Sequence, residues 1–264
     1  MRLSLGMHST LSDFPLNGKK LYFASDFHLG APNPQKSKER EQKIIRWLDT
    51  IADDAAGIFL VGDIFDFWFE YGEVIPKGFI PFISKISQLR DRNIPIFFFT
   101  GNHDLWMRDY FTQELGIPVY HQPIQILVAG KTFLIGHGDG LGPGDKSYKF
   151  LKKVFLNPLA IWLFRWFHPD LGVKLARTWS GHSRATNLTK DEGKFLGDDE
   201  WLWQYSKEIQ ASQHHDYYVF GHRHLPLELP VGKQSTYFNL GEWVSQYTYL
   251  VFDGEKPKLE TFEK

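Results

Sequence analysis

Five times along the chain a short apolar run gives way to a small residue and then to polar groups. Ile58-Phe59-Leu60-Val61 ends at Gly62-Asp63. Tyr22-Phe23-Ala24-Ser25 runs into Asp26-Phe27-His28, and Ile96 to Thr100 runs into Gly101-Asn102-His103-Asp104. Phe133-Leu134-Ile135 is followed by Gly136-His137-Gly138-Asp139, and Tyr217 to Phe220 by Gly221-His222-Arg223-His224. Runs of this length, rich in branched and aromatic side chains and closed by glycine or another small residue, predict buried strands with a polar residue at each C-terminal tip. Open α/β sheets hold ligands at such tips.

Between the tips the period changes. Lys38 to Ala52 places Ile44, Leu48 and Ile51 on one stripe, and Gly78 to Leu89 does the same with Phe79, Ile83, Ile86 and Leu89, so both predict helices. A short helix is predicted over Leu105 to Leu115. Ile124 to Ala129 and Thr132 to Ile135 flank Gly130-Lys131 as a hairpin, and short strands dominate from Asp216 onward, with turns at Pro230 to Lys233 and at Asp253-Gly254. A chain that opens strand, helix, strand, helix requires parallel crossovers; one that then closes in antiparallel strands predicts an α/β fold of two stacked sheets with helices outside. One domain, residues 1–264, is expected to carry an insertion at 141–197.

That insertion breaks the pattern. Tyr148 to Leu156, Leu159 to Phe167 and Leu171 to Trp179 read as helical pieces interrupted at Pro158 and Pro169. So short a segment cannot bury Trp162, Phe164, Trp166, Phe167 and Trp179 on itself, so some must face the main domain, a ligand or a membrane surface. Lys149, Lys152, Lys153, Arg165, Lys174 and Arg177 are interleaved with them, cations suited to anionic head groups.

Composition narrows the chemistry. The 264 residues include no cysteine, which excludes disulfides and thiolate metal sites and leaves Asp, Asn and His as ligands, a set suited to Mn, Fe or Zn in hydrolytic centres. A net charge of −1, with basic residues gathered in the insertion, argues against nucleic acid as a partner, and no protein partner is legible. Met1 to Lys20 lacks a signal-peptide core and no apolar run is long enough to span a bilayer, so a cytoplasmic location is expected.

A two-metal hydrolytic centre needs one bridging carboxylate plus imidazole and oxygen ligands on either side. The tips supply them: Asp26, His28 and His224 for one cation, Asn102, His137 and His222 for the other, and Asp63 between. Singly, an Asp after a strand is an ordinary turn or cap and a His after glycine an ordinary loop residue; together they fill the inventory. His103 adjoins a ligand and is followed by Asp104, the pairing expected of a proton-transfer or phosphate-holding group. Asp66 fits either a helix cap or a partner of a ligand histidine. His8, His121, His168, His182, His214 and His215 lie away from the tips and read as surface or packing residues.

In this order Asp-x-His, Gly-Asp, Gly-Asn-His-Asp, Gly-His and Gly-His-x-His resemble the signature of the calcineurin-like metallophosphoesterases, over both ends of the chain. The resemblance implies an αββα sandwich of two mixed sheets flanked by helices, and hydrolysis of phosphate esters or anhydrides with two divalent ions, most often Mn2+. Within the insertion, Asp145, Tyr148, Ser183, Asn187 and Lys190 resemble the lidded branch that includes the UDP-2,3-diacylglucosamine diphosphatases, although His103 stands where that branch usually has arginine. This narrower likeness implies substrate contacts at Asn102, Asp145, Ser183, Asn187, Lys190 and His222. Ser183, Asn187 and Lys190 would share one face of a helix. It also implies hydrolysis of UDP-2,3-diacylglucosamine to UMP and the acylated sugar phosphate of lipid A synthesis, at the inner membrane surface. The alternatives are a lidded phosphodiesterase or pyrophosphatase for another nucleotide conjugate and, in a different class, a metal-less scaffold, which a complete ligand set disfavours.

Overall fold

The computed structural model describes residues 10–11, 13–143, 146–175, 178 and 194–263. In chain order its elements are β1 (Thr10–Leu11), β2 (Lys20–Ala24), α1 (Pro34–Ile51), β3 (Ala55–Val61), α2 (Ile80–Asp91), β4 (Ile96–Phe99), α3 (Tyr110–Leu115), β5 (Val119–Tyr120), β6 (Ile124–Val128) and β7 (Lys131–Gly136). Then follow α4 (Lys146–Phe155), α5 (Pro158–Arg165), α6 (Trp201–Gln210), β8 (Tyr217–Phe220), β9 (Pro226–Val231), β10 (Ser235–Leu240), β11 (Thr248–Phe252) and β12 (Lys258–Thr261).

Among the described residues the strands form two six-stranded mixed sheets, ordered β12-β11-β2-β3-β4-β5 and β1-β6-β7-β8-β10-β9. The period of two in the sequence decides their stacking. Leu21, Phe23, Phe59 and Val61 of the first sheet meet Ile126, Phe133, Ile135 and Val219 of the second in a core between the sheets. The alternate residues Tyr22, Ala24, Ile58 and Leu60 pack outward on Ile44, Trp47 and Leu48 of α1 and on Phe82 and Ile86 of α2. On the far side Leu134, Tyr218 and Phe220 are covered by Leu202 and Ile209 of α6. The result is the expected αββα sandwich.

Parallel pairing puts the tips together. β2, β3 and β4 run parallel in one sheet, and β7 and β8 run parallel in the other. Their C-terminal ends therefore open on one edge of the sandwich, where five polar loops converge.

Some boundaries differ from the sequence expectation, for local reasons. α1 begins at Pro34, ahead of Lys38, because Asn33 accepts a 2.9 Å hydrogen bond from Lys36 N and proline occupies the first turn. α3 begins at Tyr110 and not at Leu105, because the buried Glu70 carboxylate takes the Asp109 and Tyr110 amides at 2.8 and 3.2 Å and fixes the start there. α6, β1 and β5 are not among the elements that the hydrophobic pattern predicts.

Candidate metal centre

The five loops are held by backbone bonds before any ligand chemistry begins. Asp26 N donates to Gly62 O at 3.0 Å, His28 N to Asp63 O at 2.9 Å, and Gly221 N to His137 O at 3.0 Å, so the first loop is tied to the second and the fifth to the fourth. Glycine permits the crowding. A Cβ on Gly62 would lie 2.5 Å from the His137 ring, and one on Gly101 would overlap Asp63 Oδ1, so the small residues of the Gly-Asp and Gly-Asn motifs make room for a neighbouring loop's polar side chain. The loops are also strained: Asp26, His28, Asp63, His222 and His224 all adopt positive φ, from 45° to 70°, a region non-glycine residues seldom occupy.

The candidate ligands converge. His224 Nε2 is 3.1 Å and His28 Nε2 is 3.8 Å from Asp26 Oδ1. His28 Nε2 lies 3.9 Å and His137 Nε2 3.4 Å from the same atom, Asp63 Oδ2, which therefore stands between the two halves. Asn102 Oδ1 is 3.4 Å from His137 Nε2, and the His222 ring stands edge-on to His137 at 5.2 Å. Three groups emerge, Asp26/His28/His224, His28/Asp63/His103 and Asp63/His137/His222, each with its donor atoms within 4.8 Å of one another.

These residues fit divalent cations. Asp26 Oδ1 is fully buried and accepts no hydrogen bond of normal geometry, while the Nε2 atoms of His28 and His224 face each other at 3.1 Å. A buried carboxylate oxygen and imidazole nitrogens converging on one point are the mixed set that divalent ions take. Outer contacts aim them. His137 Nδ1 is 2.9 Å from Val61 O, which as an N–H donor leaves Nε2 free to ligate, and Asp26 Oδ2 accepts from Ser25 Oγ at 2.5 Å and from His222 N at 3.0 Å. His103 N donates to Asp63 Oδ1 at 2.8 Å. Sequence reasoning missed Arg40, which donates to the carbonyls of Phe27, His28 and Ala31 at 2.7 to 2.8 Å and braces the first loop. Its signal was a charge on the apolar stripe of α1, four residues before Ile44.

Electrostatics divide the histidines. Burial works against a proton on His137, yet the Asp63 and Asp26 carboxylates overcome it and push the ring up to about 10. Burial and the neighbouring His137 charge push His222 down to about 4, and burial with His103 beside it takes His28 well below the usual range. Asp63 is driven up by burial but held well below the ordinary carboxylate value by His137 and His103. To hold a divalent ion through Nε2, His137 would have to give up that proton. Mn2+ uptake at neutral pH is therefore expected to release a proton, and affinity should rise with pH until about 10, where His137 is already neutral. Calorimetry in buffers of different ionisation enthalpy reads that proton; uptake without release at pH 7 would contradict it.

Asn102, His103, His222 and His224 are partly exposed and form the open side of the cluster. The carboxylate facing the His103 ring is that of Asp66, whose Oδ1 is 3.7 Å from both His103 Nδ1 and His28 Nδ1, with the Asp66 carbonyl 3.1 Å from His103 Nδ1. Asp104 is turned beneath the loops, where it accepts from Gly101 N at 2.7 Å, Ile64 N at 2.8 Å and Phe65 N at 3.3 Å. Burial and the Asp63 charge push it up to about 7. Asp145, Ser183, Asn187 and Lys190 lie outside the described residues, as do Arg177 and Trp179.

Beside the cluster, α4 and α5 rest on the main sheets through Trp106, whose Nε1 donates to Phe155 O at 3.0 Å and whose ring stacks on Phe164 at 6.2 Å; Phe164 also meets Phe69 at 4.7 Å. The other apolar residues point outward. Phe150 is 70% and Trp166 75% exposed, and Leu159, Trp162, Leu163, Phe167, Leu171 and Leu175 are all more than half exposed. Two of the cations expected to meet anionic head groups do not face outward: Lys152 pairs with Asp139 at 2.6 Å, and Lys149 donates to the Gly142 carbonyl, so both turn inward. Among the described residues no helix is long and apolar enough to cross a membrane.

The calcineurin-like phosphoesterase family profile matches residues 19–226, and the chain belongs to that family of metal-dependent hydrolases. The relatives are narrower in kind. The UDP-2,3-diacylglucosamine hydrolase of Porphyromonas gingivalis is 37% identical over 92% of this chain and 98% of its own length. The protein of the same name from Azotobacter vinelandii is 27% identical over 90% and 96% of the two chains. Of solved structures, vacuolar protein sorting 29 from Cryptosporidium parvum superposes with a TM-score of 0.44 at 11% identity, covering 94% of this chain and 99% of that one.

Proposed function

We propose that the protein hydrolyses the pyrophosphate bond of UDP-2,3-diacylglucosamine, releasing UMP and 2,3-diacylglucosamine 1-phosphate, a step of lipid A synthesis. The observation that carries this reading is the exposed apolar face of Phe150 to Leu175 beside a buried carboxylate and histidine cluster. A soluble nucleotide needs no such surface, whereas acyl chains and a bilayer interface do. The name and coverage of the Porphyromonas gingivalis relative support the same substrate.

In this proposal residues 141–197 form a lid on a single domain, working at the cytoplasmic face of the inner membrane. Asp26, His28 and His224 hold one divalent ion, Asn102, His137 and His222 the other, and Asp63 both, with Mn2+ the favoured metal. Two such ions, when bound, would acidify a water and neutralise the phosphoryl group under attack. The protein's own groups do the rest. His103, aimed by the Asp66 carbonyl at 3.1 Å, protonates the leaving phosphate or holds a phosphate oxygen. Asp104 keeps the loops of Asp63 and His103 in register through its three amide contacts. Asn102, Asp145, Ser183, Asn187, Lys190 and His222 contact the substrate.

His103→Ala is expected to lower turnover by about 100- to 10,000-fold while metal content stays near wild type. Loss of an ion from that variant, by elemental analysis, would make His103 a ligand, a place its proximity to His28 and Asp63 would permit. The reaction is tested by assaying the Mn2+-loaded protein on the diacylated sugar nucleotide beside unacylated and simple phosphodiester substrates. A second reading, a lidded hydrolase of another nucleotide conjugate, draws on His103 standing where arginine is usual in the narrower branch; equal turnover of acylated and unacylated substrates would favour it.

A further inference from the structure

Two ion pairs, one partly and one fully buried, join the segment between β7 and β8 to the loops that carry three of the candidate ligands. Asp139, two residues after His137, is 5% exposed; its Oδ2 accepts from Tyr148 Oη and from Lys152 Nζ, both of α4, each at 2.6 Å. Lys152 also donates to the Asp139 carbonyl at 3.1 Å. At the other end of the segment Arg223, which stands between His222 and His224, is 1% exposed. Its Nε and Nη2 donate to the two carboxylate oxygens of Glu200 at 2.6 and 3.2 Å, just before α6, and Nη2 donates to the Lys194 carbonyl at 3.1 Å. The guanidinium also lies 4.3 Å above the Trp201 ring.

Ion pairs as deeply buried as Arg223–Glu200 are a poor way to gain stability, since apolar residues of similar volume commonly serve as well. What they supply is direction: a forked guanidinium on a carboxylate fixes both angle and distance. Here each pair sits one or two residues from a candidate ligand, where outer contacts govern metal affinity.

We infer that Asp139 and Arg223 are positioning residues that couple the metal centre to the helices between β7 and β8, so that occupancy of the centre tightens both roots of that segment. Linkage makes the coupling reciprocal: whatever orders the roots also strengthens metal binding. The inference rests on the ligand assignment proposed above, and its test separates the two.

Amide hydrogen exchange is followed in the full-length protein with and without Mn2+, at about 100 times its dissociation constant. Fully coupled segments are then slowed by up to about 100-fold. Protection is expected in the ligand loops and also in α4 and residues 194–200, which contain no ligand. In Tyr148→Phe/Lys152→Met the Mn2+-dependent protection of α4 should vanish, and Lys152→Arg, which keeps the ion pair, should restore what Lys152→Met alone removes. In Glu200→Gln/Arg223→Met, which leaves no unpaired charge, protection of 194–200 should vanish and Mn2+ should bind about 10- to 100-fold more weakly. Should that variant fail to fold, the α4 variants decide alone. Protected ligand loops beside unchanged roots, or protection surviving in the variants, would overturn the coupling and leave the ligands standing. Unprotected ligand loops would overturn the ligand assignment, and the coupling with it.

Discussion

Replacing Asp63 with alanine is expected to abolish hydrolysis of every substrate, long-chain or small, by about 10,000-fold or more. The magnitude follows from its position. A single oxygen of this carboxylate stands 3.9 Å from His28 Nε2 and 3.4 Å from His137 Nε2, so one substitution takes a donor from both halves of the cluster. The other oxygen accepts the His103 amide at 2.8 Å, so the loop bearing Asn102 and His103 loses its anchor as well. Metal content should fall together with activity while the fold persists, because the aromatic core between the sheets does not involve this side chain. Retention of a full metal complement with measurable turnover would remove Asp63 from the bridging role.

The second large effect separates substrates. Leu159, Trp162 and Trp166 are 64%, 52% and 75% exposed, so changing all three to serine should leave thermal stability nearly unaltered. Each such side chain is worth about 1.5–3 kcal/mol when fully removed from water, so the triple variant should bind vesicles about 1,000-fold more weakly or worse. Turnover of the diacylated substrate should fall with it, while hydrolysis of a small phosphodiester at the untouched cluster stays constant. Exposed Lys153 makes the attraction to anionic vesicles salt-dependent, whereas Lys152, paired with Asp139, should contribute little. If the triple variant treated acylated and unacylated substrates in the wild-type ratio, acyl recognition would lie elsewhere.

The parts of the fold that were legible in the sequence share one property: a buried strand or amphipathic helix long enough to show its period. β2, β3, β4, β7 and β8 announced both their cores and their polar tips, and parallel pairing then brought the tips together without further information. α6 was hidden because Trp201, Trp203 and Tyr205 blur the stripe made by Leu202, Ser206 and Ile209. β1 and β5 span two residues each, too few to display alternation. In the site, the order of the converging candidate donors could be read, but the bracing could not. Glu200 and Arg223 pair across a distance in sequence that no local pattern records, Arg40 left only a charge on the apolar stripe of α1, and the carboxylate beside the His103 ring proved to be that of Asp66 and not of its neighbour Asp104.

The left-handed backbone at Asp26, His28, Asp63, His222 and His224 bears on how such a chain can evolve. Each of these residues holds a conformation that glycine adopts freely and that costs other residues of order 1 kcal/mol. The chemistry and the stability of the chain therefore pull in opposite directions at the same five positions. A lineage released from selection for hydrolysis gains stability by surrendering these side chains, so the site erodes readily and, once relaxed, is uphill to rebuild.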